Sequence, residues 1–257
     1  MRVVVGYFGL TRSLRFTAPA IRGNILAPLR QHGFDILQVG HFNLPERIDN
    51  PRSGEAGIVP DRGEAALLDL DLCWIEPQRD GAIAREYELA SAFPDAFADG
   101  YASLRNLCHQ LRSLDRLWSL ITLAAPDPAD LVIFLRPDLL YLDRLDPPTT
   151  LAPLLADACD LVVPSWQGWG GINDRFAFAT AVAAGIYASR WRCLVDACLD
   201  MGFLHAEHFL RQVVERAGLR TVTTELRAVR VRADGRISGN DATMLAAAGP
   251  PALAPAG

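Results

Sequence analysis

Arg136-Pro137-Asp138 follows the unbroken apolar run Leu131 to Leu135, so a guanidinium and a carboxylate stand just past a short hydrophobic segment. That pair suits a charged, phosphate-bearing ligand, with Arg136 gripping oxygens and Asp138 open to a divalent metal. An ordinary surface Arg–Asp pair in a loop fits the same spacing. The segment Trp166-Gln-Gly-Trp-Gly-Gly-Ile-Asn-Asp174 joins the flat indoles of Trp166 and Trp169 to Gly170, Gly171 and the acceptors Asn173 and Asp174. Sugars are bound by that mixture, and a tight loop packed by its own tryptophans is the alternative. His205-Ala-Glu207-His208 sets a carboxylate between two imidazoles at a helix start. Its spacing is not the H-E-x-x-H of zinc helices, and a first-turn glutamate is stabilised by the helix dipole without any catalytic duty. Gly9 and Arg12 lie in the turn after the first apolar run, Asn106 near the head of a helical stretch, and Arg230 and Arg232 on one face of a late strand. Arg12 could meet a phosphate there and Asn106 a ligand, although polar side chains at such places commonly face solvent.

The pattern around these residues supplies a frame for them. Leu131 to Leu135 reads as a strand covered on both faces, and Pro137, lacking an N–H, makes the chain leave the sheet. Arg2 to Phe8, Phe34 to Phe42, Leu70 to Ile75, Leu161 to Val163, Arg175 to Ala179, Thr221 to Glu225 and Arg227 to Arg232 read as further strands. Leu104, Leu107, Leu111, Leu114 and Trp118 recur at spacings of three and four, which predicts a long helix over 101–123. Shorter helices are expected around 21–29, 85–92, 151–156 and 182–199 and from 205 onward. Asn43 to Gly63 reads as a long loop. The alternation implies an α/β fold, a mostly parallel Rossmann-like sheet with helices on both faces. In such a sheet the ends of strands 2–8, 131–135 and 161–163 should converge on one cleft.

Composition narrows the function. The net charge of −5, from 25 basic and 30 acidic residues, argues against broad affinity for nucleic acid. Every basic residue is arginine, which excludes a Schiff-base lysine and a P-loop lysine. Gly6-x-x-Gly9 is neither a dinucleotide fingerprint nor a Walker loop. Five scattered cysteines without a C-x-x-C pair read as reduced core residues in a reducing compartment. Val3 to Leu10 is too short to span a membrane, so a cytoplasmic protein without a transmembrane segment is expected.

Together these features resemble bacterial GT-A-type glycosyltransferase-like proteins of polysaccharide gene clusters. The likeness rests on the first strand and its turn, Arg105-Asn106 to Ser113, Arg136 to Tyr141, Pro164 to Phe176, Tyr187 to Arg190, Glu207, and Arg230-x-Arg232. It implies a single GT-A-like domain over 1–240, with a nucleotide-binding half about 1–145 and an acceptor half about 146–240, before a disordered tail at 241–257. It also implies sugar transfer from a nucleotide-diphosphate sugar to a carbohydrate or lipid-linked hydroxyl, in surface polysaccharide synthesis at the inner face of the membrane. By this resemblance Asp138 corresponds to the last Asp of the D-x-D metal motif and Glu207 to the catalytic base, with Asp174 in reserve. Gly9, Arg12, Asn106, Arg136, Asp138, Arg230 and Arg232 would bind the donor, and Trp166, Trp169, Gly170, Gly171 and Asn173 the acceptor or sugar. Arg136 replaces the first Asp of D-x-D, so Mg²⁺ or Mn²⁺ at Asp138 competes with a metal-free alternative using Arg136, Arg230 and Arg232. A catalytically inactive nucleotide-sugar or carbohydrate-binding protein of the same fold is the alternative function.

Overall fold

In β1 (Arg2–Leu10), Val3, Val5 and Tyr7 point to one face of the sheet and Val4 and Phe8 to the other, all fully buried. The same holds for β6 (Leu131–Leu135), whose Leu131, Ile133 and Leu135 enter one core and Val132 and Phe134 the other. A strand apolar on both sides needs a helical layer on each side, which explains why these runs lack polar alternation. The computed structural model describes residues 1–50, 53–125, 127 and 129–248.

The remaining main strands are β2 (Asp35–Leu44), β5 (Leu72–Pro77), β8 (Leu161–Pro164), β9 (Phe176–Thr180) and β10 (Thr221–Thr224). They form one seven-stranded sheet in the order β10-β8-β9-β6-β1-β2-β5. It is a mostly parallel α/β sheet, in which β9 alone runs antiparallel to its neighbours β6 and β8. Two small antiparallel pairs stand apart: β3 (Ile48–Asn50) with β4 (Glu55–Ile58), and β7 (Leu139–Tyr141) with β11 (Ala228–Arg230).

One face is covered by α1 (Leu14–Ala20), a π-helical stretch over Ile21–Leu26 and α2 (Ala27–Gln31), through Leu14, Ile21, Ile25 and Leu29. Pro28 has no N–H to offer Asn24 four residues back. The Asn24 carbonyl accepts instead from Leu145 N at 2.8 Å, and its side-chain amide donates to Tyr141 O at 2.8 Å. The turn that proline loosens thus ties the helix to the chain leaving β7. Helix α3 (Ala84–Ser91) leads to α4 (Ala102–Ala124), which covers the opposite face with Leu114, Leu117 and Ile121. Its first half packs elsewhere: Leu104, Leu107 and Leu111 join a third core with Phe209 and Leu204.

After α5 (Pro147–Leu155), the helix expected over 182–199 divides into α6 (Ala181–Ala188), a 3₁₀ turn at Ser189–Cys193 and α7 (Leu194–Met201). At the break the buried Arg190 folds back and donates from Nη1 to the Tyr187 carbonyl at 2.6 Å, the acceptor a continuous helix would give to Trp191. Helix α8 (Ala206–Arg216) follows. The tail expected from 241 begins instead as helix α9 (Gly239–Ala248), because Asp241 is fully buried and ion-paired to Arg175 and Arg230. Residues 249–257 of that expectation lie outside the described residues. No helix among the described residues is long and apolar enough to cross a membrane.

Candidate active site

β1 has β2 on one side and β6 on the other, reached by connections that leave in opposite directions. A crevice must open outside the carboxyl ends of strands at such a switch point. A cleft of about 1480 Å³ lies there, lined by Gly9, Arg12, Arg136, Asp138 and the ends of β2 and β5. Ligand pockets usually measure roughly 300–1,000 Å³, so this one has room for more than a single small ligand. The end of β8 was expected to reach the same cleft, but Pro164 and Ser165 do not line it. Antiparallel β9 lies between β8 and β6 and presents its start there, which brings Asp174 and Arg175 into the wall.

Gly9 closes β1 at φ +102°, a backbone state that costs glycine least, and its N–H donates to Ser113 Oγ at 2.9 Å. The turn it makes delivers Arg12 to Asp138. Arg12 Nη2 lies 2.9 Å from Asp138 Oδ2, while Arg136 bonds both carboxylate oxygens, Nε to Oδ1 at 3.0 Å and Nη2 to Oδ2 at 2.8 Å. The sequence suggested a partly exposed loop carboxylate, yet Asp138 is only 4% exposed. Burial alone would raise its pKa; the guanidinium groups of Arg136 and Arg12 overcome that and hold it well below the carboxylate range.

β11 pairs with β7 just beyond Asp138, and Val231 N donates to Asp138 O at 2.8 Å, so Arg230 and Arg232 arrive at the same wall. Arg230 bonds Asp241, which also pairs with Arg175 at 3.1 Å. Arg232 lies 3.6 Å from Glu55 Oε2, which Arg12 approaches at 3.2 Å. Five guanidiniums therefore share three carboxylates, Glu55, Asp138 and Asp241, leaving two positive charges in excess. The neighbouring Asp174 and Arg190, 4.0 Å apart, add one charge of each sign and do not change that excess.

This donor set does not fit Mg²⁺ or Mn²⁺ at Asp138. Hard divalent cations take several oxygen ligands, whereas both Asp138 oxygens are engaged by guanidinium groups and the surrounding field is cationic. Among the described residues no three His, Cys, Asp or Glu side chains gather into a metal-holding group.

Glu207 lines the cleft from the first turn of α8. Its Oε2 lies 3.1 Å from His205 Nδ1. The His205 ring stacks on Phe97 at 4.9 Å, fixing its orientation. Burial and the neighbouring His205 push the His208 pKa down, which favours the neutral ring. The glycine-rich loop packs closely against this corner. A Cβ on Gly171 would lie 2.1 Å from the Glu207 carbonyl oxygen, and one on Gly170 3.2 Å from His208 Nε2. Ile172 N then donates to Glu207 O at 2.9 Å. Gly171→Ala is expected to destabilise the chain by about 1–3 kcal/mol, the usual cost of overpacking, read as a lower urea midpoint. An unchanged midpoint would mean that the loop yields freely.

The other residues of that segment divide by environment. Trp169 is 56% exposed and lines the cleft, as does exposed Asn106 on α4. Trp166 instead donates from Nε1 to Leu226 O at 3.0 Å and carries the Arg175 guanidinium on its ring. Asn173 is buried and staples the loop, donating to Trp166 O and accepting from Arg175 N. Asp174 accepts from Gln110 Nε2 at 3.0 Å. Arg175, Glu55 and Asp241 are absent from the residues singled out in the sequence. Arg175 had a visible signal, a charge opening an otherwise apolar strand, the mirror of Arg136 closing one.

No protein-family model and no curated protein matches the sequence. Among solved structures the chain is similar to the crystal structure of mouse xyloside xylosyltransferase 1 in its apo form, at 15% identity, covering 87% of this chain and 85% of that one with a TM-score of 0.41.

Proposed function

We propose that the chain transfers a sugar from a nucleotide-diphosphate donor to a hydroxyl acceptor. The observation that carries this reading is one switch-point cleft that holds both an arginine cluster with uncompensated positive charge and a histidine-supported carboxylate, Glu207. The reaction needs those two parts. The bond between the anomeric carbon and the diphosphate oxygen breaks, and the leaving diphosphate takes the electron pair into a field of fixed guanidinium groups. The acceptor oxygen forms the new bond to the anomeric carbon and gives its proton to Glu207. A single base of this kind suits inversion at the anomeric carbon. Trp169, the exposed indole of the cleft, offers a flat face to a sugar ring. A carbohydrate or lipid-linked acceptor, and a place in surface polysaccharide synthesis, rest on the family resemblance alone.

A panel of nucleotide sugars tested by thermal shift, followed by product detection, tests the proposal. A ligand at a hundred times its Kd should stabilise the native state by about 2.7 kcal/mol through mass action. At least one donor is expected to raise Tm and to be consumed when a hydroxyl acceptor is supplied. Binding without turnover against a broad acceptor panel would favour the inactive nucleotide-sugar-binding protein, and no shift with any donor would remove both readings.

A further inference from the structure

We propose that the donor diphosphate is held without a divalent metal by Arg12, Arg136, Arg175, Arg230 and Arg232, with Asp138 as an internal counter-ion rather than a metal ligand. The inference rests on the donor reading above for the ligand's nucleotide portion, but its core concerns only the diphosphate.

Charge supports it first. A diphosphate esterified at both ends carries two negative charges at neutral pH, which matches the two guanidinium charges left over by Glu55, Asp138 and Asp241. Such an excess is expensive to keep in a cleft with buried walls unless an anion completes it. Burial and Arg230 push the Arg175 pKa down to about 10, and burial and Arg12 do the same to Arg232.

Hydrogen bonding points the same way. Arg175 is only 4% exposed yet lines the cleft, and its Nη1 has no partner; Arg12 Nε and Arg232 Nε are likewise buried and unpartnered. An unsatisfied buried donor is costly, so three within one cluster leave donor capacity that acceptors entering the cleft would satisfy. The carboxylates meanwhile fix where the cations stand. Asp138 clamps Arg136 by a two-point contact and tethers Arg12, and Asp241 holds Arg175 beside Arg230. Planar guanidinium forks held this way suit bidentate contacts to phosphate oxygens.

Titration with inorganic pyrophosphate by calorimetry in EDTA, then in Mg²⁺, separates the possibilities by sign and uses the wild-type chain. Binding is expected in EDTA, and Mg²⁺ should weaken it, because the metal competes with the arginines for the same oxygens. Arg175→Gln and Arg232→Gln should each weaken pyrophosphate binding about tenfold or more, the scale of a charge-assisted contact. Binding that appears only with Mg²⁺, or full affinity in both variants, overturns the inference. If Arg175→Gln does not fold, Arg232→Gln and the sign of the Mg²⁺ effect still decide. Metal-free pyrophosphate binding with no turnover of any nucleotide sugar would sink the transferase reading and leave the cradle standing. Turnover that requires Mg²⁺ together with metal-dependent pyrophosphate binding would do the reverse.

Discussion

Asp138→Asn is expected to destabilise the fold by about 3–5 kcal/mol, the usual consequence of removing one partner from a buried ion pair. The substitution is nearly isosteric, so packing hardly changes; what changes is that Arg12 and Arg136 lose their shared anion while staying buried. The excess charge of the cluster rises from two to three, and the asparagine amide offers N–H donors where only acceptors can serve. The effect should depend on pH in a defined direction. Asp138 has a folded pKa held far below its unfolded value, so its contribution is complete above the unfolded pKa of about 3.9 and is lost as pH falls toward the folded one. Urea midpoints of wild type and variant should therefore differ most at neutral pH and converge below about pH 4. Equal midpoints at pH 7 would show that the cluster tolerates the missing charge and that Asp138 is not its structural anion.

That burial is also where the sequence was least informative. A strand stopped by Pro137 correctly places Asp138 beyond a strand end, because a proline's missing N–H is a local fact. Exposure depends on partners 126 residues away, such as Arg12, and no local pattern reports those. β1, β6 and the leucine stripe of α4 were legible for the complementary reason: continuous or periodic apolar residues state which faces must be covered. Strand direction was not legible, since Phe176–Thr180 reads equally well either way; its antiparallel course put Asp174 and Arg175 in the cleft in place of the end of β8. The counter-ions lay in segments read as loop and tail, Glu55 within 43–63 and Asp241 beyond 240. The glycines of the Trp166–Asp174 loop do mark close approaches, and the group met is the Glu207 main chain at Gly171 and the His208 ring at Gly170.

Glu207→Gln is expected to leave donor binding intact and to lower transfer by roughly two to four orders of magnitude, the range over which general-base catalysis contributes. The glutamine keeps the side-chain length and an oxygen beside His205 Nδ1, so the corner built by Phe97, His205 and the Ile172–Glu207 bond remains. Only the capacity to take a proton is removed. His205→Ala should act differently, since it deletes the group that orients the carboxylate while leaving the carboxylate itself; a smaller loss of turnover is expected, with little change in donor affinity. Near-normal turnover in Glu207→Gln would move the base elsewhere. Asp174 is a poorer candidate because it is buried and already engaged, accepting from Gln110 Nε2 at 3.0 Å with the Arg190 guanidinium 4.0 Å away. The urea midpoint measured on the same Glu207→Gln sample separates chemistry from folding. A base at the mouth of a helix contributes little to packing, so a fallen midpoint would make Glu207 a support for the glycine-rich loop and return the search for the proton acceptor to the rest of the cleft.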